Sequence, residues 1–266
     1  QLFTLQDLQN LNFKWPLIGE LLGRIIVVLT GSAVVKQQYL CWKGQQPAVA
    51  MNKHGLTVVV FTKDDQICYW SGRYKLDGSI EWLHTGLIAV GKRPSVAMND
   101  EGFLMLVYES PTSEFMIYSV GKFLANGEVA WRDPKEYDTG VTPAIALQAA
   151  GPRFVEVHKS QKNEILWYHV GKFEVMASNA ASNSFTELLH IEWGPSKKFP
   201  NKDTGKTPSV RFSNRNPNKI EEIHLSQNTD KPWFWEAELK DMALEWDSKT
   251  HAQTEEQPFR SQCAVM

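Results

Sequence analysis

A four-residue word, Gly-x-x-Pro followed by small and β-branched residues, recurs four times and constrains this chain more than anything else in it. The copies run Gly44 to Asn52, Gly91 to Asn99, Gly140 to Leu147 and Gly205 to Phe212, at spacings of 47, 49 and 65 residues. Three further anchors recur in step. An apolar run follows each copy: Val58-Val59-Val60-Phe61, Leu104 to Tyr108, Phe154 to His158 and Ile220 to His224. A third run places Tyr69, Tyr118 and Tyr168 three residues before a glycine. A fourth ends on Trp82, Trp131, Trp193 and Trp246. In the last unit Trp233 keeps the Tyr-to-Trp spacing and is expected to take the tyrosine place. The long third interval holds an Ala/Ser/Asn-rich insertion near Met176 to Ser184, expected to be a loop. Repetition at four anchors in four units marks a repeat protein.

Each unit reads as four short strands separated by turn signals such as Asp77-Gly78 and Asn126-Gly127. Four strands per period of this length predict an all-β chain, a small β-propeller of four to five four-stranded blades. The recurring proline belongs at a strand entrance, where a missing N–H costs nothing. Residues 24–29 and 34–42 read as two further strands, and Glu255 to Phe259 echoes the repeated word. A fifth blade closed by strands from both ends of the chain is therefore favoured over four, because closure removes exposed sheet edges. The expected organisation is a short helical lead segment over 1–23, the repeat domain over 24–259 and a tail over 260–266. Thr4 with Asp7, and Pro16, supply helix-start signals in the lead.

With 28 basic and 30 acidic residues the net charge is −2, which argues against a nucleic-acid partner and against more than peripheral membrane contact. The longest apolar run, residues 25–29, is far short of a membrane span. The chain is expected to be soluble, with cytoplasmic and secreted locations both open and no visible signal peptide. Cys41, Cys68 and Cys263 stand far apart, so neither a zinc cluster nor a disulfide framework is expected. No phosphate loop, nucleophile elbow or metal-binding helix motif occurs. The expectation is a chain without catalytic residues, cofactor or metal.

The repeat architecture and recurrent tryptophan resemble the tandem-repeat β-propeller lectins, particularly the tachylectin-2-like group, over about residues 24–259. The resemblance implies a non-enzymatic binder of carbohydrate or glycoconjugate with one shallow site per blade or between blades. A second resemblance covers only the start of the chain. Thr4 to Leu8 and Trp15 to Leu29 are similar to the last helix-then-strand unit of phosphatidylinositol-specific phospholipase C barrels. That would make the chain the targeting region of a larger enzyme; a protein-interaction propeller is the third reading.

Candidate ligand residues are Tyr69, Trp70, Tyr118, Tyr168, His169, Trp233 and Trp235. Trp70, Ser119 and His169 share a variable position expected to face the surface, whereas Trp82, Trp131, Trp193 and Trp246 are expected to close the core between blades. His158 and His224 stand where Phe61 and Tyr108 stand elsewhere, which suits a half-buried packing position. Glu156 and Glu222 neighbour them, but alternation of faces along a strand is expected to weaken a carboxylate–imidazole couple. Asp138 and Asp203, each before Thr-Gly, are expected to shape turns, with a sugar hydroxyl or a cation as the alternative. Cys263 begins a Cys-Ala-Val-Met ending with the form of a prenylation box.

Overall fold

A computed structural model describes residues 44–175, 189–229, 231–247 and 251–252. The expected lead helix, the strands at 24–29 and 34–42, the insertion, the echo at 255–259, Cys41 and Cys263 lie outside these residues. The described chain is all β: four antiparallel sheets, one per repeat. No helix among the described residues is long and apolar enough to cross a membrane.

The first sheet is a meander of β1 (Gln45–Met51), β2 (Leu56–Lys63), β3 (Gln66–Tyr74) and β4 (Ile80–Val90). The second contains β5 (Lys92–Met98), β6 (Phe103–Glu109), β7 (Phe115–Phe123), β8 (Val129–Trp131) and β9 (Lys135–Thr139). The third contains β10 (Val141–Leu147), β11 (Arg153–Lys159), β12 (Leu166–Val175), β13 (Leu189–Trp193) and β14 (Lys197–Lys198). The fourth contains β15 (Gly205–Phe212), β16 (Lys219–Ser226), β17 (Pro232–Lys240), β18 (Ala243–Trp246) and β19 (His251–Ala252). In the last three sheets the fourth strand position is shared by two short strands. Asp133-Pro134 and Gly194-Pro195 fall in two of these gaps, where proline cannot donate to the ladder. β4 holds no proline and runs unbroken.

The sheets meet along three apolar seams. Strand β6 shows how a fully buried strand feeds two of them: Leu104, Leu106 and Tyr108 pack toward the first sheet, Phe103, Met105 and Val107 toward the third. Strands β1, β5, β10 and β15 pack side by side in that order. Each seam is closed by the same edge-to-face pair: Tyr69 on Trp131, Tyr118 on Trp193 and Tyr168 on Trp246, with ring centroids 5.9, 5.3 and 5.4 Å apart. Trp131, Trp193 and Trp246 close the core as expected, whereas Trp82 is half-buried and meets Trp70 instead. In the fourth sheet Ile223 pairs with Phe234, as Val60 pairs with Tyr69, so Phe234 and not Trp233 holds the tyrosine place.

The repeated word is a β-bulge. Register slips in all four first strands, between Gln45 and Ala48, Lys92 and Ser95, Val141 and Ala144, and Lys206 and Ser209. The residue before each proline (Gln46, Arg93, Thr142 or Thr207) is left-handed, with φ between 48° and 53°. That conformation is costly for non-glycine residues, more so for β-branched threonine. The glycine serves a different need. A Cβ on Gly44, Gly91, Gly140 or Gly205 would lie 2.3 to 2.6 Å from the ring of Phe61, Tyr108, His158 or His224 respectively. A flat ring near the end of each second strand lies on a bare backbone, and this contact fixes how the first strand of the same sheet begins. Gly91→Ala should therefore cost about 1–3 kcal/mol by overpacking, read as a lowered urea midpoint with unchanged slope.

Candidate functional site

The rings that lie on these glycines differ in chemistry, and from that difference a site is built. In the first seam the second strand contributes Leu106 and Tyr108, both buried in the apolar core. In the next two seams the same positions carry Glu156 with His158, and Glu222 with His224, all at most 1% exposed. Residues two apart on a strand share a face, so the couple is formed: His158 Nδ1 lies 3.0 Å from Glu156 Oε2, and His224 Nδ1 3.1 Å from Glu222 Oε2. The expectation that strand alternation separates them is corrected.

An aspartate from the preceding stretch of chain meets each imidazole from the other side. Asp138, on β9, accepts the Thr139 N–H through Oδ1 and His169 Nε2 through Oδ2 at 2.8 Å, and that oxygen lies 3.7 Å from His158 Nε2. Asp203 repeats the pattern: Oδ1 takes the Thr204 N–H, Oδ2 takes the Trp235 Nε1–H at 2.7 Å and stands 3.6 Å from His224 Nε2. The turn role expected of these aspartates is one oxygen's work; the other oxygen faces a histidine. Gly140 and Gly205 each donate a backbone N–H to the preceding sheet, to the Glu114 and Glu164 carbonyls, and so hold both aspartates at the seam.

Aromatic rings wall both seams in the same arrangement. Tyr137 stacks on Trp193 at 4.3 Å and meets Tyr118 and His169 edge-on. Phe199 lies 4.3 Å from Trp246 and meets Tyr168 and Trp235 likewise. The sequence-predicted residues fall into place accordingly. Tyr69, Tyr118, Tyr168, His169 and Trp235 are buried in the seams, and Ser119 with them, so in the last three sheets the variable position is buried and not at the surface. Trp70 and Trp233 are half-buried, with Trp70 edge-on to Trp82 at 5.8 Å. Asp138 and Asp203 keep side-chain exposures of 24% and 29%, against 6% or less for the histidines and glutamates around them. Solvent therefore reaches each cluster through its aspartate.

No family model and no curated protein matches the chain. Among solved structures it is similar to the Hadza microbial sialidase Hz136, at 10% identity and a TM-score of 0.44, over 76% of this chain and 45% of that one. It is also similar to a Lactobacillus plantarum protein, at 10% identity and a TM-score of 0.28, over 80% and 87%. The chain spans under half the length of the sialidase.

Two exchanges separate the seams: His169 becomes Trp235, and Tyr137 becomes Phe199. Burial opposes a charge on His169, but its bond to Asp138 and the nearby Glu156 carboxylate outweigh this and raise its pKa. Burial also works against the Asp138 carboxylate, yet His169, the Thr139 N–H and Ser196 hold it well below its usual range. Tyr137 donates its O–H to Glu156 Oε1 at 3.0 Å, whereas Phe199 has nothing to donate to Glu222. Burial pushes Glu222 up to about 7, against the opposing pull of His224.

A carboxyl that keeps its proton to about pH 7 when folded, but loses it near 4.3 when unfolded, makes stability fall as pH rises between those values. His224, whose pKa burial depresses but Glu222 raises more, adds stability below its unfolded value that is also lost with rising pH. Glu222→Gln should flatten this slope, measured as the urea midpoint between about pH 5 and about pH 8. The apolar first seam supplies a second test. Replacing Glu156, His158 and Tyr137 together by Leu, Tyr and Phe should leave stability unchanged or raise it by ~1–4 kcal/mol, because a buried charged couple rarely outperforms apolar packing. Glu156→Leu alone strands the His158 and Tyr137 donors and should cost on the order of 3 kcal/mol.

Proposed function

We propose that this chain is a non-enzymatic binding module, a small β-propeller whose inter-sheet seams carry repeated shallow sites for carbohydrate. The reading is carried by the recurrence, at two successive seams, of one partly exposed aspartate held from behind by a ring N–H and flanked by aromatic walls. A fixed carboxylate accepts hydrogen bonds from sugar hydroxyls, and apolar C–H groups suit adjacent ring edges. The seam chemistry is not demanded by the fold, since Leu106 and Tyr108 fill the same positions one seam earlier. Buried titratable groups placed where apolar ones suffice point to use. The side-by-side order of β1, β5, β10 and β15 supports blades around an axis.

Repetition of a weak site is the design of a multivalent binder, in which avidity multiplies modest contacts. The test is a glycan array on the full chain, followed by titration of any hit with tryptophan fluorescence as the readout. Binding with at least two equivalents and a dissociation constant below about 1 mM is expected. Asp138→Asn and Asp203→Asn should each remove part of it and together nearly all. A blank array from folded protein, or binding indifferent to both substitutions, would overturn the reading.

A further inference from the structure

We infer that the seam between the second and third sheets is a binding site for a divalent transition-metal ion of the zinc class, ligated by Asp138 Oδ2, His158 Nε2 and His169 Nε2. These donor atoms come from three strands of two sheets, β9, β11 and β12, and all lie within 4.8 Å of one another. Tetrahedral zinc, with bonds of about 2.0–2.1 Å to nitrogen and oxygen, sets its ligand atoms about 3.3 Å apart. The two nitrogens stand 2.8 and 3.7 Å from the shared carboxylate oxygen, on either side of that value. Small rotations of the three side chains would equalise them.

A second, independent observation is the orientation of both imidazoles. Metal-ligating histidines use one ring nitrogen for the ion and commit the other, as N–H donor, to a carboxylate or a backbone carbonyl. Here His158 Nδ1 faces Glu156 Oε2 at 3.0 Å and His169 Nδ1 faces the Gly194 carbonyl at 2.9 Å. Gly194 O can only accept, so His169 Nδ1 carries a proton, and the Glu156 carboxylate draws one onto His158 Nδ1. Both Nε2 atoms thereby face one carboxylate oxygen, and a divalent ion bound between them would take the place of the proton that His169 Nε2 otherwise shares with Asp138. Glu156 is steadied in turn by the Tyr137 O–H at 3.0 Å. Asp138 and Glu156 together balance a divalent charge with both imidazoles neutral. Three protein donors leave a coordination position for water or a ligand oxygen, reached past Asp138, the exposed member of the set.

The following seam is a built-in comparison. Asp203, His224 and Glu222 repeat the set, but the place of His169 is taken by Trp235, whose indole nitrogen can donate and cannot ligate. His224 Nε2 is buried there with no hydrogen-bond partner. Two donors hold a transition metal weakly, so one site per chain is expected.

Metal binding at this seam is separable from sugar binding, and the experiment contains no sugar. Full-length chain, stripped with chelator, is titrated with zinc by calorimetry and with cobalt by visible absorption. The expected result is one equivalent, with the intense ligand-field bands of low-symmetry, near-tetrahedral cobalt. His169→Trp, which turns this seam into a copy of the next, should reduce affinity at least tenfold, and Asp138→Asn likewise. Glu156→Gln should weaken binding by about 10–100-fold through orientation alone. Trp235→His should raise the stoichiometry from one to two. Circular dichroism establishes that each variant is folded before it is scored. Absence of binding by the folded wild-type chain would overturn the site. So would a bound equivalent that survives both His169→Trp and Asp138→Asn, since the ion would then sit elsewhere.

Discussion

A flat ring lying on a bare glycine backbone is the contact on which the remainder of this structure depends. It joins the end of one strand to the beginning of the preceding one in all four sheets, with Phe61, Tyr108, His158 and His224 as the rings. Because the glycine side of the contact has no side chain, the chain can turn sharply there and bulge, leaving its proline in the unpaired step of the first strand, where no ladder bond is asked of it. The same glycine donates its N–H back to the previous sheet at three of the four positions, so the ring contact also fixes one sheet against the next. What the position demands is flatness, which phenylalanine, tyrosine and histidine all satisfy. Only histidine adds two nitrogens, one aimed along its own strand and one aimed across the seam. A packing position can thus acquire chemistry without any change in backbone.

The seams also show how much a single exchange alters such a cluster. Tyr137 and Phe199 occupy equivalent places against Trp193 and Trp246, yet only the tyrosine gives its buried glutamate a second hydrogen bond. Burying an ionised carboxylate is costly unless its lone pairs are met. Glu156 is met from two sides. Glu222 has only His224, and its pKa rises accordingly. On the other side of each aspartate, His169 and Trp235 both donate a ring N–H to the same oxygen, but the imidazole retains a basic nitrogen in reserve once its proton is displaced, while the indole does not. One seam is a potential ligand set and the other a hydrogen-bonded wall.

The repeat, the four strand positions of each unit, and three of the four seam-closing tryptophans were legible in the sequence because they depend on spacing, and spacing survives substitution. Self-comparison aligns positions into columns; it does not say which columns meet. Asp138 and His169 are separated by 31 residues and Asp203 and Trp235 by 32, and each pair joins neighbouring sheets, so nothing local in the sequence announces them. The Glu156–His158 couple was readable, since a two-residue step returns to the same face of a strand. The variable column of Trp70, Ser119 and His169 invites a surface reading, because variability usually means exposure. Here it reflects a seam whose two walls vary together. The left-handed residue before each proline had no signal at all: Gln, Arg and Thr are not residues that advertise positive φ.

Repeat architecture bears on why two seams could take up polar chemistry while the first stayed apolar. In a chain of stacked units each interface involves only adjacent sheets, so stability is close to a sum of unit and nearest-neighbour terms. A buried carboxylate and imidazole in one seam weaken that interface without undoing the next, provided the others keep a margin. The first seam supplies such a margin with Val58, Val60, Leu104, Leu106 and Tyr108, all almost wholly buried. Cost confined to one interface can be offset by apolar area at another, at roughly 25 cal/mol per Å² of apolar surface removed from water. A single-core protein has no such partition, and a buried acid at its centre burdens every element that packs there. Here the seam is both the unit of stability and the unit of chemistry, which is why one seam could exchange His169 for Trp235 while its neighbour kept the full set.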